Sequence, residues 1–462
     1  MGFSEFRCYR NLFPWCFMVT CYFFSVFTFA ADRITRGHSI RDGDTIVSAG
    51  EKFALGFFSP QGSSFRYVGI WYYRVANESV VWVANRETPI SDNGGALTIG
   101  NDGNLIVLNG DDDIIWSSNV TVESNNSTVV LRDTGNLVLY SGEHINREIW
   151  QSFDHPTDTY LPDMRVQMNV HDGERRVLTS WKSANDPSPG NYSLGIDPRG
   201  SSQIVIWAGR NRWWRSGYYN GVTFTGVPVR VNYLFGFKVN NDGDGRLSFT
   251  YTPSNRSNFI KFRVSWNGTE RQESWIDGRR EWDLIQSHPV DECDMYNRCG
   301  VFGKCNEMDL SKCSCMEGFV AKDSACVRRK KLQCEENNSL YVEDRGKKDG
   351  FVQIERVKLP DFVDYVGSQD VKECEKMCLD NCSCTAYAFD IGINCMIWNR
   401  DLVDVQQFGE SGNTLFVRVA HSELAEKNNV KKLVVITTVI IGTFFVCVLI
   451  WLIWKCKTNC QG

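Results

Sequence analysis

Three tryptophans, Trp82 in VVWVANR, Trp116 in IIWSSN and Trp150 in EIWQSF, stand 34 residues apart, twice. Each sits in a run of β-branched and aromatic residues bounded by Asn, Asp, Gly and Ser, the composition of a strand between turns. A second echo keeps step with them. GNDGNLIVL at 100–108 returns as RDTGNLVLY at 132–140, so Gly103 and Gly135 are 32 apart, as are Asn104 and Asn136. Such a period means one supersecondary unit used several times, each copy burying its face against its neighbours. One Trp per copy predicts a shared aromatic core. After the first 31 residues this half of the chain has no cysteine, so it must stand on that core.

The ends carry addressing signals. Arg7 and Arg10 precede an apolar run from Leu12 to Ala30 with small residues at Ala30 and Ala31, the pattern of a secretory signal peptide over 1–31; a short membrane anchor is the alternative. Residues 433–454 hold no charge and are long enough to cross a bilayer core of about 30 Å. Lysines flank that run on both sides, so the signal peptide sets the orientation. The expectation is a single-pass type I protein of the cell membrane, its body outside and 455–462 in the cytosol. Cys456 and Cys460 there are either palmitoylation targets or idle thiols.

Cysteine usage agrees with export. Of eighteen, twelve fall between Cys293 and Cys395, an even number suited to disulfides in an oxidising compartment. Nine Asn-x-Ser/Thr sequons, at Asn77, Asn119, Asn125, Asn126, Asn191, Asn255, Asn267, Asn337 and Asn381, predict glycosylated surface loops. A net charge of −5 gives no reason to expect nucleic acid.

The stretch IWQSFDHPTDTYLPDM, 149–164, packs Asp154, His155, Asp158 and Asp163 together. Asp beside Pro and Thr is turn chemistry, since the carboxylate can accept from backbone N–H two residues on. A metal site needs three or four converging ligands, and the chain's six His are scattered, so a hinge is expected. NNDGDG at 240–245 imitates the start of a calcium loop, but Tyr251 stands where the bidentate Glu belongs. Asp-Gly pairs in a hairpin turn explain it better. No hydrolase signature occurs, and no cofactor is called for. Beyond Cys334 a helix is expected, capped by Asp370 with Glu373 closing a capping box, and presenting Cys374 and Cys378 on one face.

The repeats give 32–155 a resemblance to the bulb-type lectin domain. WQSFDHPTDTYLPDM, SWKSANDPSPGNYSLGID and WRSGYYNG resemble the S-locus glycoprotein region of plants. CDMYNRCGVFGKC with CSCMEGF looks like its EGF-like module, and CEKMCLDNCSCTAYAF with LFVRVA looks like its PAN/apple module. In this order they resemble the ectodomain and span of plant S-domain receptor-like kinases. The resemblance implies a mainly β chain. Its parts would be a bulb-lectin β-prism over 32–155, a second lectin-like lobe over 156–288, an EGF-like module over 289–327, an α+β PAN/apple domain over 334–420 and a transmembrane helix over 433–454. It also implies the disulfides Cys293–Cys305, Cys299–Cys313, Cys315–Cys326, Cys374–Cys395, Cys378–Cys384 and Cys334–Cys382. Pro289 stands where calcium-binding EGF modules place Asp.

The resemblance bears on function in three ways. Bulb lectins bind mannose through a strand Q-x-D-x-N-x-V-x-Y. Here the copies read Arg132, Thr134, Asn136, Val138, Tyr140 and Gly100, Asp102, Asn104, Ile106, Leu108. Each keeps Asn and an apolar packing residue without the full polar set, and two lost hydrogen bonds at about 1 kcal/mol each would remove most of a weak site's affinity. A scaffold with weak or no carbohydrate binding is expected. Second, the relatives are serine/threonine kinases, yet these 462 residues contain no V-A-I-K, H-R-D or D-F-G. The chain is expected to have no kinase activity, either working with a partner kinase or standing for a truncated form. Third, loops of the second lobe carry recognition in the family. Among Trp207, Arg210, Arg212, Trp213, Trp214, Arg215, Tyr218 and Tyr219, the rings of Trp213 and Trp214 are expected in the core. Arg210 and Arg212 are expected on an exposed ligand surface. The reading is a receptor-like protein that recognises an extracellular peptide, protein or microbial molecule and forms homo- or heterodimers with other S-domain receptors. The rival is a membrane-tethered mannose-type lectin.

Overall fold

The computed structural model describes residues 32–75, 79–123, 126–142, 147–199, 201–227, 237–253, 259–276, 278–335 and 348–459, the side chains of 425–436 and 453–459 excepted. The expected signal peptide and Asn77, Asn125, Asn255 and Asn337 lie outside the described residues. The chain forms two units. One takes residues up to Met164 with Thr179–Gly190 and Trp275–Trp282, and the other takes Arg165–Leu178, Asn191–Ser274 and 283 onward.

The first unit holds three four-stranded antiparallel sheets. One is built from Thr45–Val47, Phe53–Phe58, Tyr67–Tyr72 and Val80–Val83. The next is built from Ile40–Arg41, Ala96–Ile99, Leu105–Leu108 and Ile114–Ser117. The third takes Arg33–Thr35 from the start of the chain and joins it to Ser127–Leu131, Leu137–Ser141 and Glu148–Gln151. Trp82, Trp116 and Trp150 lie on the last strand of each sheet. Their rings meet edge to face in a closed triangle, with centroids 6.0, 5.9 and 5.8 Å apart, the arrangement aromatic quadrupoles favour. This is the shared aromatic core the spacing predicts. The echoed glycines share one turn. Gly103 donates to Gly100 O and Gly135 to Arg132 O, both with φ above +80°. At Gly135 an added Cβ would also lie 2.7 Å from Leu161 Cδ1, so glycine is required twice over.

The side chains of the expected hinge are held by local hydrogen bonds and stacking. Asp154 accepts from Gln151 Nε2, His155 stacks on Trp150 while its carbonyl accepts from Trp82 Nε1, and buried Asp158 accepts from Thr159 Oγ1. Buried Arg86 closes this region by donating to the carbonyls of Thr179, Ser180 and Pro187.

In the second unit, Val166–Asn169 lies between Arg175–Arg176 and Arg246–Thr250, with Lys238–Asn241 at the far edge. Tyr192–Ile196 pairs with Ile204–Ala208, which pairs with Asn211–Arg215. Residues 242–245 make the hairpin turn expected of the 240–245 stretch, with Asp242 Oδ1 accepting from Asp244 N and Arg246 N. The two cysteine blocks are not separate sheets. Cys313–Cys315 and Gly303–Asn306 continue, through a parallel pairing of Gly303–Asn306 with Val405–Gln407, into Gly350–Lys358, Asn413–Val419, Ala386–Asp390, Asn394–Trp398 and Asp364–Val366, eight strands in all. The helix Val371–Asp380 is capped by Asp370 Oδ1, which accepts from Lys372 N and Glu373 N. Glu373 accepts from Ser368 Oγ, which itself accepts from Asp370 N, so the box closes through Ser368 rather than directly. The expected span lies in a helix, His421–Asn459. Among the described residues no helix is long and apolar enough to cross a membrane.

Candidate functional site

Of the degenerate sugar positions, Asn104, Asn136, Val138 and Tyr140 are buried and Asp102 is exposed. Asn104 Oδ1 accepts from Ser118 Oγ and Val120 N, both at 2.8 Å, and its Nδ2 donates to Asp102 Oδ2 and Val120 O. Asn136 Oδ1 accepts from Ser152 Oγ and Phe153 N, and its Nδ2 donates to Gln151 Oε1 at 2.8 Å. Both Asn side chains are buried, and Val138 has no exposed surface to lay against a sugar ring. The Tyr140 hydroxyl accepts from Arg132, which also pairs with Glu148. Asp102 is exposed, but hydrogen bonds from the Asn104 backbone and side chain hold its carboxyl below the usual range. The hydrogen-bonding capacity that a sugar would use is spent inside the lobe.

Around Ile206–Phe224 the structure separates residues that look alike in sequence. Trp214 is core, its Nε1 donating to Asp294 Oδ1 at 2.9 Å, and Trp213 is half-buried. Arg210 is exposed at the hairpin tip. Arg212 is a correction: it does not face solvent. Its side chain is 14% exposed and reaches Asp197 Oδ1 at 2.7 Å and Asp361 Oδ2 at 3.2 Å. Arg199 pairs with the same two carboxylates, at 2.7 and 3.0 Å. Arg215, with no exposed surface, donates to Asp404 Oδ2 at 2.6 Å and to Leu359 O, while Lys358 Nζ stands 3.3 Å from Asp404. Gln203 Nε2 and the Tyr296 hydroxyl complete the shell of Asp361. Burial alone would push the Asp361 carboxyl up, but Arg215, Arg212 and Arg199 outweigh it and hold it far below the ordinary range. Sequence reasoning assumed that charges clustered near aromatics lie outside. Their acidic partners stand as far as 189 residues along the chain, as Asp404 does from Arg215, with no local signal to reveal them.

The twelve cysteines join as Cys293–Cys305, Cys299–Cys313, Cys315–Cys326, Cys334–Cys382, Cys374–Cys395 and Cys378–Cys384, with Cα separations of 5.2–5.8 Å. These are the pairs implied by the resemblance. Two groupings have the spacing of metal ligands, Cys299, Cys305, Cys313 and Asp291, Cys293, Glu307. Every cysteine in them is in a disulfide and offers no thiolate. Asn119, Asn126, Asn191, Asn267 and Asn381 are exposed.

Three family models match in chain order: D-mannose binding lectin over 79–182, S-locus glycoprotein domain over 214–323, and PAN-like domain over 334–405. Two Arabidopsis thaliana G-type lectin S-receptor-like serine/threonine-protein kinases are 46% and 45% identical to this chain. The first, B120, is matched over 93% of this chain and 52% of its own length, the second over 94% and 53%. The chain is a homologue of the G-type lectin S-receptor-like kinases. It spans about half the length of these relatives. Among solved structures it is similar to a monomeric mannose-binding lectin from Gastrodia elata, at 24% identity and a TM-score of 0.21, over 26% of this chain and 94% of that one. At that score the likeness carries no weight. Asp361 and Asp404 lie within the PAN-like match, and of their arginine partners Arg215 lies within the S-locus match while Arg199 and Arg212 lie before it.

Proposed function

We propose that this chain is the extracellular recognition part of a single-pass receptor-like protein, anchored by 433–454, that binds an extracellular peptide, protein or microbial molecule and pairs with other S-domain receptors. The observation that carries this reading is the inward use of Asn104 and Asn136: the lobe keeps the lectin sheets and spends the sugar-binding groups on its own hydrogen bonds. This argues against the mannose-lectin alternative. Recognition then falls to exposed loops, and Arg210 at its hairpin tip borders the contact surface, since Arg supplies much of the binding energy where it meets a partner. A glycan array with the purified chain, paired with co-precipitation of candidate co-receptors, tests the reading. The expected result is no signal on mannose glycans, and a partner interaction weakened by Arg210→Ala with thermal stability intact. Strong mannose binding that Asn136→Ala abolishes would replace this reading with the lectin one.

A further inference from the structure

The second unit has a cleft of about 570 Å³ over the sheet of Val166–Asn169, Arg175–Arg176, Arg246–Thr250 and Lys238–Asn241. Its chemistry follows from the pleat. Val166, Met168, Leu247 and Phe249 are buried on the inner face, so Gln167, Asn169, Arg246 and Ser248 stand on the outer one. Register then lines up Arg176, Gln167, Ser248 and Asn240 across four strands. With neighbouring strands about 4.8 Å apart, that row of polar side chains spans about 14 Å.

Three carboxylates, those of Asp172, Glu174 and Asp242, stand on the lining beside the arginines, and two of them are engaged in hydrogen bonds. Asp172 accepts from Asn169 Nδ2 and Glu174 N, and Asp242 accepts from Asp244 N and Arg246 N. Two guanidinium groups on the lining, those of Arg165 and Arg246, make no ion pair among the described residues. They lie four residues apart along the paired strands, about 13 Å. No aromatic ring lines the cleft, and its two apolar lining residues, Met168 and Leu247, have their side chains buried on the far side.

We propose that this cleft binds an oligosaccharide of carboxylated sugars, a uronate oligomer. Guanidinium groups pair with carboxylates in bidentate fashion, and two of them so far apart call for a ligand with more than one carboxylate. The side chains of Gln167, Asn240 and Ser248 between them offer donors and acceptors for ring hydroxyls. An acidic peptide fits less well, because the cleft offers none of the apolar or aromatic anchoring that holds peptide side chains. The site is separate from the mannose-type strands of the first unit, and it stands or falls independently of the receptor reading.

The test is calorimetric titration of the purified full chain with hexagalacturonate, with a neutral mannohexaose and with hexaglutamate. Hexagalacturonate should bind, the other two should bind at least tenfold more weakly, and the Arg165→Ala/Arg246→Ala double variant should weaken the uronate by roughly tenfold or more. Gln167→Ala, which leaves the charges in place, should weaken it several-fold. No uronate binding, binding unchanged in both variants, or equal binding of mannohexaose would overturn the proposal. Equal binding of hexaglutamate would overturn it in favour of an acidic peptide.

Discussion

Asn85 does in one sheet of the first unit what Ser118 and Ser152 do in the other two. Its Oδ1 accepts from Val68 N, as their hydroxyls accept from Leu105 N and Leu137 N. The repeat of Asn104 and Asn136 is visible in the sequence, but this third match is not. It uses another residue type, three places after its Trp instead of two, so no pattern of letters carries it. Buried charge is equally silent in sequence, and one such residue sets a pH dependence. Burial pushes the Glu270 carboxyl up to about 7, His288 offsetting only part of it, and its Oε1 has no hydrogen-bond partner among the described residues. His288 is lowered by burial, but the Asp294 carboxylate at 2.8 Å more than reverses this, so it too ends raised. Both groups hold their protons more tightly folded than unfolded. Their contribution is therefore fully present below the unfolded values and is lost as pH rises through the folded ones. For Glu270 the loss runs from about 4.5 to about 7 and amounts to at most about 3 kcal/mol. Asp197 and Asp361 are depressed, so their contribution is present above the ordinary carboxylate range and fades in acid below it. Melting followed by scanning fluorimetry should show higher stability at pH 5 than at pH 8, and Glu270→Gln should remove most of that difference. A variant that keeps the wild-type slope would refute the assignment.

At the scale of elements, the tryptophan spacing made the first unit legible because each Trp takes the same place in its own sheet. The triangle's energy is local to three strands and testable there. Removing a buried large aromatic costs about 3–5 kcal/mol, from lost transfer energy and the cavity left behind. Trp150→Ala, which removes a buried ring of the triangle, should lower the first unit's unfolding free energy by an amount in that range. Ile114→Ala, on the last strand of another sheet of the unit and 63% exposed, should stay within about 0.5 kcal/mol of wild type. Urea titration followed by tryptophan fluorescence separates them, and equal effects would show that the triangle is not the core of its unit. The disulfide-bonded helix was legible for a similar reason, since its cap and its i, i+4 cysteines lie within nine residues, Asp370 to Cys378. The pairing of Gly303–Asn306 with Val405–Gln407 was not. It joins strands about a hundred residues apart, and EGF-like cysteine spacing reads as a self-contained module. A parallel pairing of so few residues leaves no alternation of its own to detect.

At the scale of the whole molecule, the buried carboxylates decide how the second unit comes apart. Asp361 is shared by Arg199, Arg212 and Gln203 from the hairpin side and by the Tyr296 hydroxyl from the first cysteine block. Tyr218 reinforces the same junction, its hydroxyl donating to Pro360 O and its ring standing in the core with Phe319, Trp398 and Leu415. Removing one partner of a buried ion pair leaves the others charged and unmatched in a low-dielectric interior, a cost of about 3–5 kcal/mol. Stretches far apart in the chain should therefore lose protection together. In the Asp361→Ala variant, amide hydrogen exchange should quicken both at 203–206 on the hairpin and at 359–364 in the PAN-like domain, and calorimetry should show their shared transition at lower temperature. In the unchanged protein the two stretches should exchange at matching rates once global opening dominates. Faster exchange confined to 359–364, with 203–206 unaltered, would mean that the modules unfold separately and that the carboxylate fastens only its own loop.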